Sequence, residues 1–310
     1  MTAAIRLVAI DVDGTLLDST GAIRPRVAQS IEAVIAAGCQ VVLATGRRLQ
    51  SATPIAQKVG ISTLILVDGA VIHDLEARST LYERVLSPPL LRRAVELLRD
   101  INVPPVLLES PVAGARIFAG PPESDNLETA RYLSRRDEVV RVPLERLIEL
   151  ERVVTALGMG GPVPTEELVS LARTIREFST VFWNPSAAGY QTKVLELGPP
   201  GVSKGRALDW LAKYLGIPRE STMAIGDYEN DLSLVEAAGV GIAMGNAITS
   251  VKAVARAVVS DNDHDGVAEA LEEWVLGRAN RSQETEDGSQ DSVHPSREQR
   301  SDSRAHAESS

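Results

Sequence analysis

Residues 5–17 read Ile-Arg-Leu-Val-Ala-Ile-Asp-Val-Asp-Gly-Thr-Leu-Leu, and this stretch decides the fold. Its first six residues are almost all apolar, which predicts a strand buried on both faces of a parallel sheet. Asp11 and Asp13 follow directly, before the chain turns at Gly14. In open α/β sheets, ligands bind outside these strand ends. Two neighbouring carboxylates repel each other unless a cation or a shared proton compensates. The stretch therefore predicts metal-assisted chemistry in which one carboxylate is the nucleophile.

The overall composition is that of an ordinary globular protein with a polar tail. The net charge is −10, which argues against binding along a nucleic-acid backbone because there is no basic excess. Cys39 is the single cysteine, so we expect no internal disulfide and a cytoplasmic location. We expect no signal peptide and no membrane span, because the apolar stretches are short. Residues 278–310 have almost no apolar side chains and are predicted to be a disordered tail.

Apolar runs alternate with amphipathic helices at both ends of the chain. This alternation predicts an α/β core with a doubly wound, Rossmann-like parallel sheet, formed by residues 1–86 and 190–277. Residues 87–189 have a different texture, with mixed helices and strands separated by proline pairs, and are predicted to be an inserted α+β cap domain. Within this region we expect a helix at Pro164–Phe178. Tyr190–Leu197 is expected to be the strand that leads back to the core.

Further polar groups follow other predicted strands and helix starts. Thr45 and Gly46 come after the second strand, at a helix start whose free N–H groups and dipole favour an anion. Lys204 opens a later helix and is one of only five lysines in the chain. Asp227 follows a late strand. Carboxylate ligands suit a hard cation such as Mg²⁺, and a lysine with a hydroxyl suits phosphate. Together these groups could stabilise a phosphoryl group in transfer.

These motifs resemble those of the haloacid dehalogenase (HAD) superfamily, specifically the Cof-like branch (type IIB) with a large C2 cap. The matching stretches are Asp11–Leu17, Thr45–Arg47, Ser203–Gly205 and Gly226–Asp231, and residues 239–247 and 262–270 also resemble the end of that branch. The resemblance covers the core up to about residue 273, whereas the cap matches only in position, size and element order. It implies a Mg²⁺-dependent phosphatase, a phosphoric monoester hydrolase that acts on small phosphorylated metabolites. Sugar phosphates and phosphorylated cofactors or their precursors are the expected substrates.

The resemblance also implies a role for each matching residue. Asp11 is the expected nucleophile, which forms an aspartyl-phosphate, and Asp13 is the expected acid and base. The expected Mg²⁺ ligands are Asp11, the backbone carbonyl of Asp13, and Asp227. Asp231 is expected to orient the lysine or a metal-bound water, and Arg47 either reaches the substrate or forms a surface salt bridge. The expected phosphate-binding residues are Val12, Thr45, Gly46, Lys204 and Asn230.

The chain departs from the family pattern in two places. It has Asp68-Gly69-Ala70 where the family often has Asn-Gly-Ala, so Asp68 either adds negative charge near the cap hinge or caps a turn. It has His264-Asp265-Gly266 where the branch often has Glu-Asp-Gly. Two other functions stay open at this point. One is a phosphomutase of the same superfamily, and the other is a non-hydrolytic phospho-accepting regulatory module. The oligomeric state, monomer or dimer, is likewise open.

Overall fold

A computed structural model describes residues 3–160, 175–183 and 194–277. The predicted tail at 278–310 and most of the helix predicted at Pro164–Phe178 lie outside these residues. The strands are β1 (Leu7–Ile10), β2 (Gln40–Ala44), β3 (Thr63–Leu66), β4 (Val71–Asp74), β5 (Ser79–Glu83), β6 (Pro105–Glu109), β7 (Ile117–Ala119), β8 (Val139–Arg141), β9 (Val153–Met159), β10 (Ser179–Trp183), β11 (Val194–Gly198), β12 (Thr222–Gly226), β13 (Val240–Ala243) and β14 (Ala257–Val258). The helices are α1 (Pro25–Ala36), α2 (Leu49–Lys58), α3 (Pro88–Asp100), α4 (Leu127–Leu133), α5 (Lys204–Tyr214), α6 (Leu232–Ala237), α7 (Thr249–Val254) and α8 (Gly266–Leu271).

The larger sheet has eight strands in the order β14-β13-β12-β1-β2-β3-β4-β5. Its first six strands in this order are parallel, and β4 and β5 add an antiparallel edge. The chain runs from β1 towards β2 and β3 on one side and places β12 on the other, so the strand order reverses between β1 and β12. Such a switch point is where open α/β sheets bind ligands. The predicted doubly wound core is confirmed.

Alternate residues of β1 enter different apolar clusters, which explains its continuous apolar sequence. Val8 and Ile10 lie in one cluster with Ile31 of α1. Leu7 and Ala9 lie in a cluster on the opposite face, together with Leu208 and Leu211 of α5. Helices therefore cover both faces of the sheet, and the strand has no solvent-facing side that would require polar residues.

The second sheet has six strands in the order β10-β11-β9-β6-β7-β8. The strand expected at Tyr190–Leu197, as the return to the core, belongs in its described part to this second sheet. Its described part, Val194–Gly198, pairs antiparallel with β9 and β10. Leu195 and Leu197 are fully buried beside α3, so this run is as apolar as a core strand and its sequence cannot distinguish the two sheets. We therefore propose that the inserted domain ends at Gly198 and not at residue 189.

The inserted domain packs directly on the core. Val106 and Leu108 of β6 belong to the same buried apolar cluster as Leu66 and Val67 of the core. The side-chain amide of Gln50 in α2 also donates to the carbonyl of Ala115, at 2.9 Å. Within the described ranges, no helix combines the length and the apolar character that a membrane crossing requires.

Candidate active site

The loop after β1 brings the first acid motif against β12. Ile10 pairs with Ile225 across the two parallel strands, and the N–H of Asp11 donates to the Ile225 carbonyl at 3.0 Å. Gly14 has a φ of +86°, and a Cβ atom at this position would come 2.5 Å from the Asp227 Oδ2 atom. Because only glycine tolerates both this backbone conformation and this close approach, Gly14 allows Asp227 to lie beside the loop.

Lys204 is the buried cation of the site. Its side chain has no solvent exposure, and Nζ lies 2.6 Å from Asp11 Oδ1 and 2.7 Å from Asp231 Oδ1. The lysine is the first residue of α5, where the Ser203 hydroxyl accepts a hydrogen bond from a backbone N–H. Gly205 follows it, and a Cβ there would come 2.0 Å from the carbonyl oxygen of Ser233. This close helix packing holds the lysine at the strand ends.

Asp231 is an internal anchor and has no solvent exposure. While Oδ1 accepts from Lys204, Oδ2 accepts from the backbone N–H groups of Asp227 and Tyr228, at 3.1 and 3.2 Å. Both carboxylate oxygens therefore have protein partners. Of the two groups that Asp231 is expected to orient, the lysine or a metal-bound water, the lysine is in direct contact with it.

Burial and mutual repulsion shape the charges of these acids. Burial raises the pKa of Asp11 well above its ordinary value, and the neighbouring Asp231 raises it further. The same two causes, burial first, raise the pKa of Asp227 to about 7. Burial opposes the charge of Lys204, but the carboxylates around it outweigh this effect and raise its pKa, so the lysine is charged at neutral pH. The site holds excess negative charge and favours a further cation.

Three acid oxygens are close enough to share such a cation. Within the described part of the chain, one oxygen from each of Asp11, Asp227 and Asp231 lies within 4.8 Å of the other two, and all three residues are buried. Oxygen donors of this kind suit a hard cation such as Mg²⁺. The cluster contains two of the expected metal ligands, Asp11 and Asp227. It does not contain the side chain of Asp13.

Asp13 lies at the edge of the buried cluster and is paired with Arg47. The Arg47 Nη2 and Nε atoms donate to the two Asp13 oxygens at 2.6 and 2.8 Å. The Asp13 side chain is 57% exposed, whereas that of Asp11 is 6% exposed. The structure shows Arg47 in a salt bridge, which is one of the two roles expected for it. Its partner is Asp13 of the acid motif.

The residues expected to hold phosphate gather around Asp68. Thr45 is buried, its carbonyl accepts from the N–H of Asp68 at 3.1 Å, and its hydroxyl accepts from the N–H of Arg47. The Asn230 amide donates to Asp68 Oδ1 at 2.8 Å. A Cβ on Gly46 would lie 2.9 Å from Asp68 Oδ2. Val12 differs, since its side chain is buried in the apolar core, so any contact with phosphate would come from its backbone.

Two residues at the site were not identified from the sequence. The Thr15 hydroxyl donates to Asp227 Oδ1 at 2.8 Å. The Asn246 amide donates to the Gly14 carbonyl at 2.8 Å and to Asp227 Oδ2 at 3.5 Å. Thr15 stands inside the first acid motif, so its position was a usable signal. Asn246 lies within residues 239–247, whose resemblance to the Cof-like branch could have identified it.

The chain is similar to known proteins over most of its length. The family model for haloacid dehalogenase-like hydrolases matches residues 8–271. Phosphatase YwpJ from Bacillus subtilis (strain 168) is 32% identical over 290 residues, covering 86% of this chain and 99% of that protein. The 5-amino-6-(5-phospho-D-ribitylamino)uracil phosphatase YitU from the same organism is 29% identical, covering 86% and 97%. The solved structure of a haloacid dehalogenase-like hydrolase from B. subtilis has a TM-score of 0.71 at 27% identity, covering 86% of this chain and 99% of that one.

Proposed function

The chain belongs to the haloacid dehalogenase-like hydrolases, and from that membership we propose that it is a Mg²⁺-dependent phosphatase of small phosphorylated metabolites. The single observation that carries this proposal is the buried contact between Lys204 and Asp11 beside Asp227. It combines a nucleophile, a cation and metal-ligand oxygens at the switch point of the sheet. The relatives named as phosphatases support the same class of reaction.

The acid cluster fits a magnesium ion. Asp11 and Asp227 would be the side-chain ligands, with the backbone carbonyl of Asp13 as a third. Asp231 is the weaker candidate, because both of its oxygens already accept hydrogen bonds from Lys204 and from backbone N–H groups. When bound, Mg²⁺ would offset the negative charge of the acids and of the phosphoryl oxygens, so that an anionic nucleophile can approach an anionic substrate.

Asp11 is the proposed nucleophile. Lys204 holds Oδ1, which leaves Oδ2 to attack the phosphorus atom. The new O–P bond forms as the bond to the leaving oxygen breaks, and an aspartyl-phosphate results. Water then attacks the phosphorus atom, and the carboxylate of Asp11 departs. Two steps with a covalent intermediate replace one difficult displacement.

Asp13 is the proposed carrier of the proton. It would donate a proton to the leaving alkoxide and later take one from the attacking water. In the pair with Arg47, both oxygens of Asp13 accept hydrogen bonds. For its proposed role, Asp13 would turn from Arg47 towards the leaving oxygen. Its large exposed fraction gives it room to do so.

The cap supports a small substrate. Its packing on the core, through Gln50 with Ala115 and through a shared apolar cluster, would restrict the site to a small substrate and limit the access of bulk water. Sugar phosphates and phosphorylated cofactors or their precursors are the proposed substrates, and YitU is named for a substrate of this kind. The net charge of −10 argues against nucleic acid, and the single cysteine suits a reducing cytoplasm.

Phosphate release from a metabolite panel tests the proposal. The wild-type protein should release inorganic phosphate with Mg²⁺ and stop when the metal is chelated. Asp11→Asn should lower turnover by at least about 10³-fold while folding normally. Asp100→Asn, an exposed residue at the end of α3, is the matched control and should keep full activity. An isomeric ester without free phosphate would indicate a mutase, and stable phosphoprotein without turnover would indicate a regulatory module. Full turnover by Asp11→Asn would refute the mechanism.

A further inference from the structure

Asp68 has a fixed position that the proposed chemistry does not explain. It follows β3 in the left-handed region, with a φ of 50° and a ψ of 30°. Its N–H donates to the Thr45 carbonyl, which ties this loop to the loop after β2. The side chain is only 8% exposed. Its Oδ1 atom accepts from Asn230, which is 162 residues away, so the carboxylate does not serve as a local turn cap.

The carboxylate of Asp68 borders three of the groups proposed to hold the phosphoryl oxygens. Asn230 donates to Oδ1 at 2.8 Å, and Lys204 Nζ lies 3.9 Å from the same atom. On the other side, a Cβ on Gly46 would lie 2.9 Å from Oδ2. A carboxylate and a phosphate are both anions that accept hydrogen bonds from such donors. Asp68 therefore accepts a hydrogen bond from Asn230 and lies beside Lys204, two donors that phosphate would use.

We propose that Asp68 is a positioning residue that competes with phosphate for Asn230 and Lys204 and so weakens the retention of inorganic phosphate. The inference rests on the proposed phosphatase function. The hydrogen bond from Asn230 to Asp68 orients the amide, and the carboxylate also lies close to the ammonium group of Lys204. When phosphate occupies the site, the same carboxylate is a like charge beside it. A neighbouring like charge at a separation of about 5–6 Å weakens binding by about tenfold at an intermediate dielectric. The expected benefit is faster loss of the product.

Asp68→Asn removes the negative charge of the side chain and keeps its shape. Asparagine tolerates the left-handed backbone, and its amide oxygen can still accept from Asn230. Calorimetric titration with inorganic phosphate in the presence of Mg²⁺ should show about tenfold tighter binding than in the wild type. Product inhibition by phosphate should strengthen by the same factor. Asp209→Asn removes the same charge from an exposed position on α5 and should leave phosphate affinity within about twofold.

Asp68→Gly is the second variant, because glycine also suits a positive φ and removes the carboxylate completely. It should likewise bind phosphate more tightly. Unchanged or weaker phosphate binding in both variants, with normal turnover by the wild type, would overturn the role of Asp68 and leave the proposed function intact. A wild-type protein that neither binds phosphate nor releases it from any ester would overturn both.

Discussion

Replacing Lys204 by methionine should destabilise the metal-free protein more than any exposed lysine substitution. Methionine keeps most of the apolar stem, so the change removes the charge and leaves little cavity. Asp11 and Asp231, at 2.6 and 2.7 Å from the ammonium, would then be buried without their cation. Removing one partner of a buried ion pair costs about 3–5 kcal/mol. Since the total stability of a domain is about 5–15 kcal/mol, this is a large share.

The acids that lose their cation determine how the stability loss of Lys204→Met depends on pH. The pKa of Asp11 is already raised by burial, and the loss of the lysine should raise it further. An acid whose pKa is higher in the folded than in the unfolded state destabilises the fold when it is ionised. This loss of stability shrinks as the pH falls below the folded-state pKa, because the folded protein then takes up the proton. The loss caused by Lys204→Met should therefore shrink at about two pH units below neutral.

Urea unfolding in the presence of a chelator measures this effect. Lys213→Met, an exposed position on the same helix, is the matched control and should change stability by no more than about 0.5 kcal/mol. Adding Asp231→Asn to Lys204→Met should recover at least about 1 kcal/mol, because the two sites are in contact. The reasoning would be refuted if Lys204→Met lost less than about 1 kcal/mol. An equal loss with and without Asp231→Asn would refute it as well.

Three further predictions concern the metal site and the cap. Gly14→Ala should destabilise the protein by about 1–2 kcal/mol, because alanine is strained at the positive φ of this position; urea unfolding measures this loss. The added Cβ atom should also displace Asp227 and weaken Mg²⁺ binding, which calorimetric titration measures. Mg²⁺ affinity should fall by up to about tenfold per pH unit below pH 7, because Asp227, with a pKa of about 7, must lose its proton to bind the metal. A Mg²⁺ affinity that calorimetry finds to be independent of pH would contradict this. Arg48→Met removes the ion pair between Arg48 of the core and Glu138 of the cap, at 2.6 Å, and should raise KM about threefold to tenfold at a similar kcat. An unchanged KM in steady-state assays would show that this pair does not hold the cap.

Much of the core and the central acids of the site could be predicted from residue order. Parallel strands meet at one edge of a sheet, so acids that directly follow β1 and β12 must come together once both runs are assigned as strands. Lys204 could be identified because lysine is rare in this chain and this one opens a helix. These inferences depend on local periodicity, on strand direction and, for the lysine, on composition.

The sheet that contains Val194–Gly198 could not be predicted in the same way. A strand buried on both faces has the same apolar character in either sheet, and its hydrogen-bonding neighbours decide where it belongs. The predicted end of the cap depended on this assignment, so the proposed end is Gly198 and not residue 189.

By itself, the sequence determined that this protein has a parallel core with Asp11, Asp227 and Lys204 at its ligand-binding edge, because strand periodicity and turn glycines act over a few residues. Only the tertiary structure decided that Asp68 accepts from Asn230 and that Asp13 pairs with Arg47. These contacts join residues from different loops, 162 and 34 positions apart. Their formation depends on loop conformation and on which strands are neighbours, and no local pattern in the chain encodes either.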